Sequence, residues 1–257
     1  MLKIILSGCC GKMGKAIIKC VKEKENAKIV AGVDIYDDGS ASFPVYKNFE
    51  EITEQADVII DFSNPAVLKS LLQFSVKNKM PAVIATTGLS ENDVAAIRKA
   101  AEEVAIFSSF NMSLGVNLLI SLSQLAVGVL GDDFDIEIVE RHHNQKIDAP
   151  SGTALMIADA INEAKDNVYN YEFDRHSKRV KRTKNEIGIH SVRGGNIVGD
   201  HDVIFAGHDE VITISHSAYS KEVFAVGSVN AATFLRDKKP GIYNMNDLIN
   251  KECVCDE

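Results

Sequence analysis

Two histidines, a lysine and a serine-glycine helix start fall within twelve residues of one another in the stretch FDIEIVERHHNQKIDAPSGTALM, residues 134 to 156. His142 and His143 carry the one side chain that exchanges a proton near neutral pH without help from its surroundings. Lys146 adds a compact positive charge. Ser151-Gly152-Thr153 opens a segment whose first backbone N–H groups have no intrahelical acceptor, so an anion there is stabilised by roughly 0.3–1 kcal/mol. Gly152 would let a carboxylate approach closely. Each feature has a plainer account when taken alone, with Ser151 an ordinary N-cap, Gly152 a permissive residue and the histidines satisfied at a strand end. Together they suit an acid–base step on a carboxylate-bearing substrate.

The elements that must position these groups are legible around them. Phe134, Ile136 and Ile138 alternate with Asp135, Glu137 and Val139, the period of a half-buried strand. Neighbouring strand side chains point to opposite faces, so His142 and His143 meet different surroundings and do different jobs. Asp148-Ala149-Pro150 turns the chain, and Leu155, Ile157, Ala158 and Ile161 form the apolar stripe of the helix that Ser151 begins.

A second candidate site opens the chain. LKIILSG reads as a short strand, and GCCGKMGKAIIKCVKEKE as a glycine turn leading into an amphipathic helix. Gly8, Gly11 and Gly14 make G-x-x-G-x-x-G, a variant of the commoner dinucleotide fingerprint, so the turn Gly8-Cys9-Cys10-Gly11-Lys12-Met13 is a candidate phosphate cradle. The next strand, AKIVAGVD, ends in Asp34, twenty residues past Gly14, where a carboxylate can accept hydrogen bonds from ribose hydroxyls or simply begin the turn Ile35 to Gly39. DVIIDFS and PAVIATTG, each followed by a helical segment, continue a parallel sheet covered on both faces. Asp61-Phe62-Ser63, Ala85-Thr86-Thr87-Gly88 and Ser108-Ser109-Phe110-Asn111 lie at the strand ends where such sheets bind ligands.

A formal charge of −8 argues against a general nucleic-acid binder and makes the local cations Lys146, Arg193 and Lys221 candidates for attracting an anionic substrate. Hydrophobic residues at 46% over 257 positions suffice for one large or two smaller cores. The five cysteines, Cys9, Cys10, Cys20, Cys253 and Cys255, have no paired C-x-x-C spacing and read as reduced thiols without a metal role. The start MLKIILSG carries no cleavage pattern, and VNLLISLSQLAVGVLG reads as an apolar helix too short and serine-broken to span a membrane; a soluble cytoplasmic protein is expected. DRHSKRVKRTK, residues 174 to 184, reads as a solvated basic loop or a subunit contact. The run 187 to 219, rich in β-branched residues and punctuated by glycines, reads as antiparallel strands, with His190, His208 and His216 on strand faces or turns. The tail from Pro240 is expected to form a short helix and a frayed end.

ERHHNQKIDAPSGTA, combined with the glycine-turn start, resembles the dihydrodipicolinate (4-hydroxy-tetrahydrodipicolinate) reductases of the diaminopimelate route to lysine. Arg193, Gly195, Gly199 and His201 also fit that family's R-x-G-x-x-x-G-x-H. Lys221 stands where the family commonly carries arginine, keeping the charge but losing the bidentate fork. The resemblance implies an α/β protein: a Rossmann-like dinucleotide-binding domain (1–111 plus 222–257) with an inserted α+β substrate-binding and oligomerisation domain (112–221). It implies NAD(P)H-dependent reduction of a small dicarboxylate, a homotetramer formed through second-domain sheets, and no nucleic-acid, membrane or metal partner. By the same resemblance His142 and Lys146 supply protons, and His143, Ser151, Gly152 and Thr153 hold carboxylates. Gly8 to Met13 with Asp34 hold the cofactor, and Ala85, Thr86, Thr87, Ser109, Phe110, Asn111 and Met112 line its nicotinamide half. Ile35 and Tyr36 follow Asp34, so no arginine stands beside it for a 2′-phosphate; NADH preference is expected, with Lys12 permitting real NADPH use. A nucleotide sensor without catalysis is the rival, although it would have no need of His142 and Lys146. A metal-dependent hydrolase would want an H-E-x-x-H spacing that the sequence lacks.

Overall fold

The computed structural model describes residues 1–253, which form two compact units. One unit joins Met1–Leu114 to the chain from Lys221 onward, and the other is Gly115–Ser220. Cys255 and the expected frayed end lie outside the described residues.

The first unit is a seven-stranded parallel sheet in the order β12-β6-β5-β4-β1-β2-β3. Its strands are β1 (Leu2–Ser7), β2 (Ala27–Val33), β3 (Val45–Tyr46), β4 (Val58–Asp61), β5 (Ala82–Ile84), β6 (Ala105–Ser108) and β12 (Gly241–Tyr243). Central strands are buried on both faces, which is why they read as unbroken apolar runs. Ile4, Leu6, Val58 and Ile60 enter a core with α1 (Lys12–Lys22) and α6 (Glu222–Leu235), while Ile5 and Ile59 enter another with α2 (Leu68–Lys77) and α3 (Glu91–Ala101). From β1 the chain steps outward through β2 and β3, then returns to β4 and proceeds the other way. That reversal creates a crevice beyond the ends of β1 and β4, where an open α/β sheet binds ligands. Strand β12 gave no signal in the sequence, since Gly-Ile-Tyr is too short to show a period; the tail otherwise forms α7 (Met245–Cys253).

The second unit is a five-stranded mixed sheet, β11-β10-β7-β9-β8, packed on α4 (Leu114–Leu130) and α5 (Gly152–Glu163). Its strands are β7 (Asp135–His142), β8 (Asn170–Glu172), β9 (Glu186–Arg193), β10 (Gly199–Ala206) and β11 (Val211–Ala218). The expectation of antiparallel strands over 187 to 219 holds for β10 with β11 but fails for β9, which runs parallel to both β7 and β8. Strand β7 lies between β9 and β10, because the α5 crossover makes a parallel β7–β9 pair that local alternation does not reveal.

Two further expectations need correction. Helix α4 and the 3-10 turn after it, Leu114–Asp133, are long and apolar enough to cross a membrane by length and composition, with a mean hydropathy of 1.8; 33% of the most apolar window is buried in this chain. Val116, Leu119, Ile120 and Val127 face the core, while Leu118, Leu122, Leu125 and Val129 form an exposed apolar stripe. The basic run 174 to 184 is only partly solvated. Arg182 donates to Glu137, Asp135 and the carbonyls of Ile136 and Glu186, Arg175 pairs with Glu186 at 2.8 Å, and Lys178 pairs with Glu172. The strand-borne carboxylates give these cations fixed partners that the run's own composition does not show.

Candidate active site

In the first unit the chain leaves β1 through Gly8, at φ +76°, where a Cβ would come within 2.5 Å of the Phe62 carbonyl oxygen. A Cβ on Gly14, in the first turn of α1, would meet the Gly8 carbonyl oxygen at 2.2 Å. Both positions therefore require glycine for the turn to close against the helix start. Gly11 caps α1 without a side-chain hydrogen bond, and the first turn holds no acidic residue. Asp34, just beyond β2, accepts from the backbone N–H of Cys10 at 2.9 Å and of Tyr36 at 3.2 Å, so the glycine turn itself orients its carboxylate. A narrow turn on an open helix N-terminus, with a fixed carboxylate beside it, fits a dinucleotide. Lys12 is exposed at the helix start, whereas Lys15 pairs with Asp38 at 2.7 Å.

Deeper along the same sheet edge, buried Asp61 accepts from Ser63 Oγ at 2.5 Å and Thr86 Oγ1 at 2.6 Å, and Thr86 in turn accepts from the Ser63 N–H. Burial pushes the Asp61 carboxyl up, against the pull of those hydroxyls. Ala85 and Thr86 are buried, while Thr87 is exposed. Strands β5 and β6 are neighbours in register, so these residues and Ser109 to Met112 follow adjacent strand ends. Ser109 Oγ donates to the Asn111 carbonyl, Phe110 is exposed, and Met112 is buried with its carbonyl so close to α6 that a Cβ on Gly227 would lie 1.7 Å from it. Cys9, Cys10 and Asp34 place potential metal-ligand atoms within 4.8 Å of one another. Their arrangement has a packing account: burial first, then Cys10, pushes the Cys9 thiol up to about 12, and Asp34 already accepts two amides.

The second unit gathers a tighter cluster. Along β7 the inward positions are Ile136, Ile138, Glu140 and His142, so the strand's period carries two polar groups into the interior after two apolar ones. Glu140 is fully buried. Its carboxylate accepts from Arg193 Nη1 at 2.8 Å, Arg193 Nη2 at 2.7 Å and the Ser151 N–H at 3.0 Å, and lies 2.6 Å from His142 Nδ1. Burial alone would raise this carboxyl, but the Arg193 fork and then His142 hold it down at about 2. His201 sits across from Glu140 on β10, its Nε2 is 3.1 Å from Ser151 Oγ, and its ring meets His142 edge to face at 5.3 Å. Burial, followed by the neighbouring His142, lowers the His201 imidazole to about 4, so it is neutral at pH 7.

Ser151 caps α5 as its residue type predicts, its Oγ accepting from the Ala154 N–H at 3.1 Å. A Cβ on Gly152 would touch nothing within 4 Å, leaving open space over the helix start. His143 faces away from the buried side, with its Nδ1 buried and lacking a partner among the described residues. Lys146 pairs with Asp148 at 2.7 Å, and Arg193 donates to the Asp148 carbonyl at 2.6 Å, which ties this loop to the Glu140 cluster. Arg193, expected as a free cation for an anionic substrate, is instead spent on Glu140. Lys221 is exposed at the N-cap of α6 and belongs to the first unit. Glu140 is the residue that sequence reasoning missed, although two polar residues at inward positions of the β7 alternation were a readable signal.

Family models for the N-terminus and the C-terminus of dihydrodipicolinate reductase match residues 2–112 and 115–249. A 4-hydroxy-tetrahydrodipicolinate reductase from Caldanaerobacter subterraneus is 55% identical, covering 98% of this chain and 99% of its own, and one from Clostridium tetani is 49% identical, covering 97% and 98%. Among solved structures, the dipicolinate-bound dihydrodipicolinate reductase of Paenisporosarcina sp. superposes with a TM-score of 0.82 at 27% identity, covering 96% of this chain and 99% of that one. The chain belongs to the dihydrodipicolinate reductase family.

Proposed function

We infer that this chain reduces 4-hydroxy-tetrahydrodipicolinate to tetrahydrodipicolinate with NADH or NADPH, in lysine and diaminopimelate biosynthesis. The observation that carries this reading is the near-complete coverage by relatives of that name, which takes in both the dinucleotide turn and the His142 cluster. Gly8 to Met13 and Asp34 would hold the dinucleotide, with Ala85 to Thr87 and Ser109 to Met112 beside its nicotinamide half. When bound, that cofactor supplies the hydride. His142 and Lys146 provide protons, and His143 with the Ser151-Gly152-Thr153 helix start receives carboxylates. A substrate carboxylate would compete with Asp148 for the half-buried Lys146 ammonium, the exposed aspartate holding it with little net energy. Steady-state oxidation of NADH with enzymatically generated dihydrodipicolinate tests the assignment, with dipicolinate, the ligand of the Paenisporosarcina relative, as a competitive inhibitor. NADH binding without turnover would favour the non-catalytic sensor instead.

Cofactor choice follows from the end of β2. Asp34 repels a 2′-phosphate, Ile35 and Tyr36 offer it no cation, and Lys15 is paired with Asp38, leaving Lys12 as the nearby counter-charge. NADH is preferred by a modest factor, with measurable NADPH turnover; a large kcat/KM advantage for NADPH would overturn this. The two domains are the dinucleotide-binding unit and the substrate-binding and oligomerisation unit. The protein would be a cytoplasmic homotetramer; the exposed stripe on α4 and exposed Val211, Ile212 and Val192 on the second sheet are apolar surface of the kind that subunit contacts cover. Light scattering coupled to size exclusion checks the mass.

A further inference from the structure

We propose that Glu140 is the positioning carboxylate of His142, fixing the imidazole as its Nδ1–H tautomer so that Nε2 is the atom that exchanges the proton with substrate. This rests on the reading of His142 as a proton donor.

The argument is one of donors and acceptors. Glu140 is ionised at neutral pH, and a carboxylate in that state only accepts. At 2.6 Å from it, His142 Nδ1 must carry a hydrogen. The ring's other nitrogen, Nε2, meets no protein hydrogen-bond partner among the described residues, and Gly199 leaves room for it, since a Cβ there would lie 3.0 Å away. As imidazolium, His142 would give the Nε2 proton to substrate, remain neutral with Nδ1–H bonded to Glu140, and take a new proton at Nε2 from solvent. The carboxylate keeps the ring oriented throughout and stabilises its charged form. Arg193 holds Glu140 in turn, through two parallel bonds from the strand position in register with His142. The groups facing the pair are Glu140 on its own strand, Arg193 on β9, His201 on β10 with His216 in register behind it on β11, and the Ser151 N–H at the start of α5. Lys146 and Asp148 lie in the following loop, with Arg193 bonded to the Asp148 carbonyl. His201 is bonded to Ser151, and among the described residues Glu140 is the one anionic group bonded to the His142 ring.

The wild-type chain gives the first readout, which needs neither cofactor nor substrate. Nitrogen-15 spectra of the histidine side chains, with the His142 signals assigned by their loss in His142→Gln, should show a protonated Nδ1 in the neutral form. A neutral Nε2–H tautomer would overturn the proposal. In the second, Glu140→Gln should lower kcat on the order of 10–100-fold, the usual cost of losing such a partner. It should also move the alkaline limb of the pH profile, where the protonated donor is lost, to lower pH and leave the KM for NADH within about threefold. If Glu140 acts through His142, adding Glu140→Gln to His142→Gln should lower kcat no further, whereas independent losses would overturn the proposal. An unchanged kcat and pH profile in folded Glu140→Gln would likewise reduce the carboxylate to a tie between β7 and α5. Should His142→Gln itself keep full activity, it is the proton-donor reading that fails, while the tautomer result still stands or falls alone.

Discussion

His142 and Lys146 are four residues apart, yet their electrostatic company is different: one ring is held by a buried carboxylate, the other ammonium by a partly exposed aspartate. That difference separates their expected phenotypes. Replacing His142 with Gln removes the proposed proton donor and should cut kcat by 10²–10⁴, roughly the range of general acid catalysis, without weakening NADH binding, since the residues proposed to hold the cofactor all belong to the first unit. Lys146→Met should lower kcat and raise KM together, because the same charge can attract a carboxylate and donate a proton. Thr153→Val should act chiefly on KM, as it deletes a hydroxyl but leaves the amides of the α5 start in place. Steady-state kinetics of the three, with cofactor affinity followed separately by NADH fluorescence, distinguishes these outcomes. Near-wild-type kcat for His142→Gln across the pH range would remove it from the acid role.

At the scale of elements, the two helix starts proposed to receive ligands are built differently, and their glycines should respond differently. Gly14 has no room for a methyl group, with the Gly8 and Cys9 carbonyl oxygens 2.2 and 2.5 Å from a built Cβ. Gly14→Ala should therefore open the turn, cost about 1–3 kcal/mol of stability as overpacking does, and weaken NADH binding at least tenfold. Gly152 faces open space, so Gly152→Ala should leave the melting temperature within a degree or two but raise the substrate KM as the methyl takes up the approach to the helix start. An equal loss of stability in both would contradict the geometry. These starts were legible in the sequence because glycine spacing, a capping serine and the β7 alternation are local signals. Three features were not. Strand β9 pairs in parallel with β7 across a crossover, Arg182 finds acidic partners about 45 positions away, and Arg193 turns inward to Glu140. Each is decided by which strands become neighbours, information carried by the packed sheet and by no short window of residues.

Across the whole molecule the buried ionisable groups divide by unit, and acid should treat the two units in opposite ways. In the second unit, His201 falls from 6.5 to about 4 on folding, so between those values the unfolded chain binds the extra proton and stability drops as pH falls. Over the full window this shift is worth about 3 kcal/mol. His216 is lowered in the same direction by burial, and Glu140, held near 2, adds stability that is complete above 4.5 and is lost as pH falls towards 2. In the first unit, Asp61 is raised above 3.8 by burial, so there the folded chain binds the proton more readily and stability rises as pH falls through that range. The lowered carboxyls of that unit, Asp38 and Asp93, are exposed and screened, and contribute little. Hydrogen exchange resolved by peptide, corrected for intrinsic rates, should thus show protection in β7, β9 and β10 collapsing between pH 6.5 and 4 while β1, β4 and β5 keep theirs. His201→Gln, which removes the titrating ring, should flatten that dependence in the second unit alone. Parallel loss in both sheets, or a pH dependence untouched by His201→Gln, would show that the buried imidazole does not set the acid limit of the second unit.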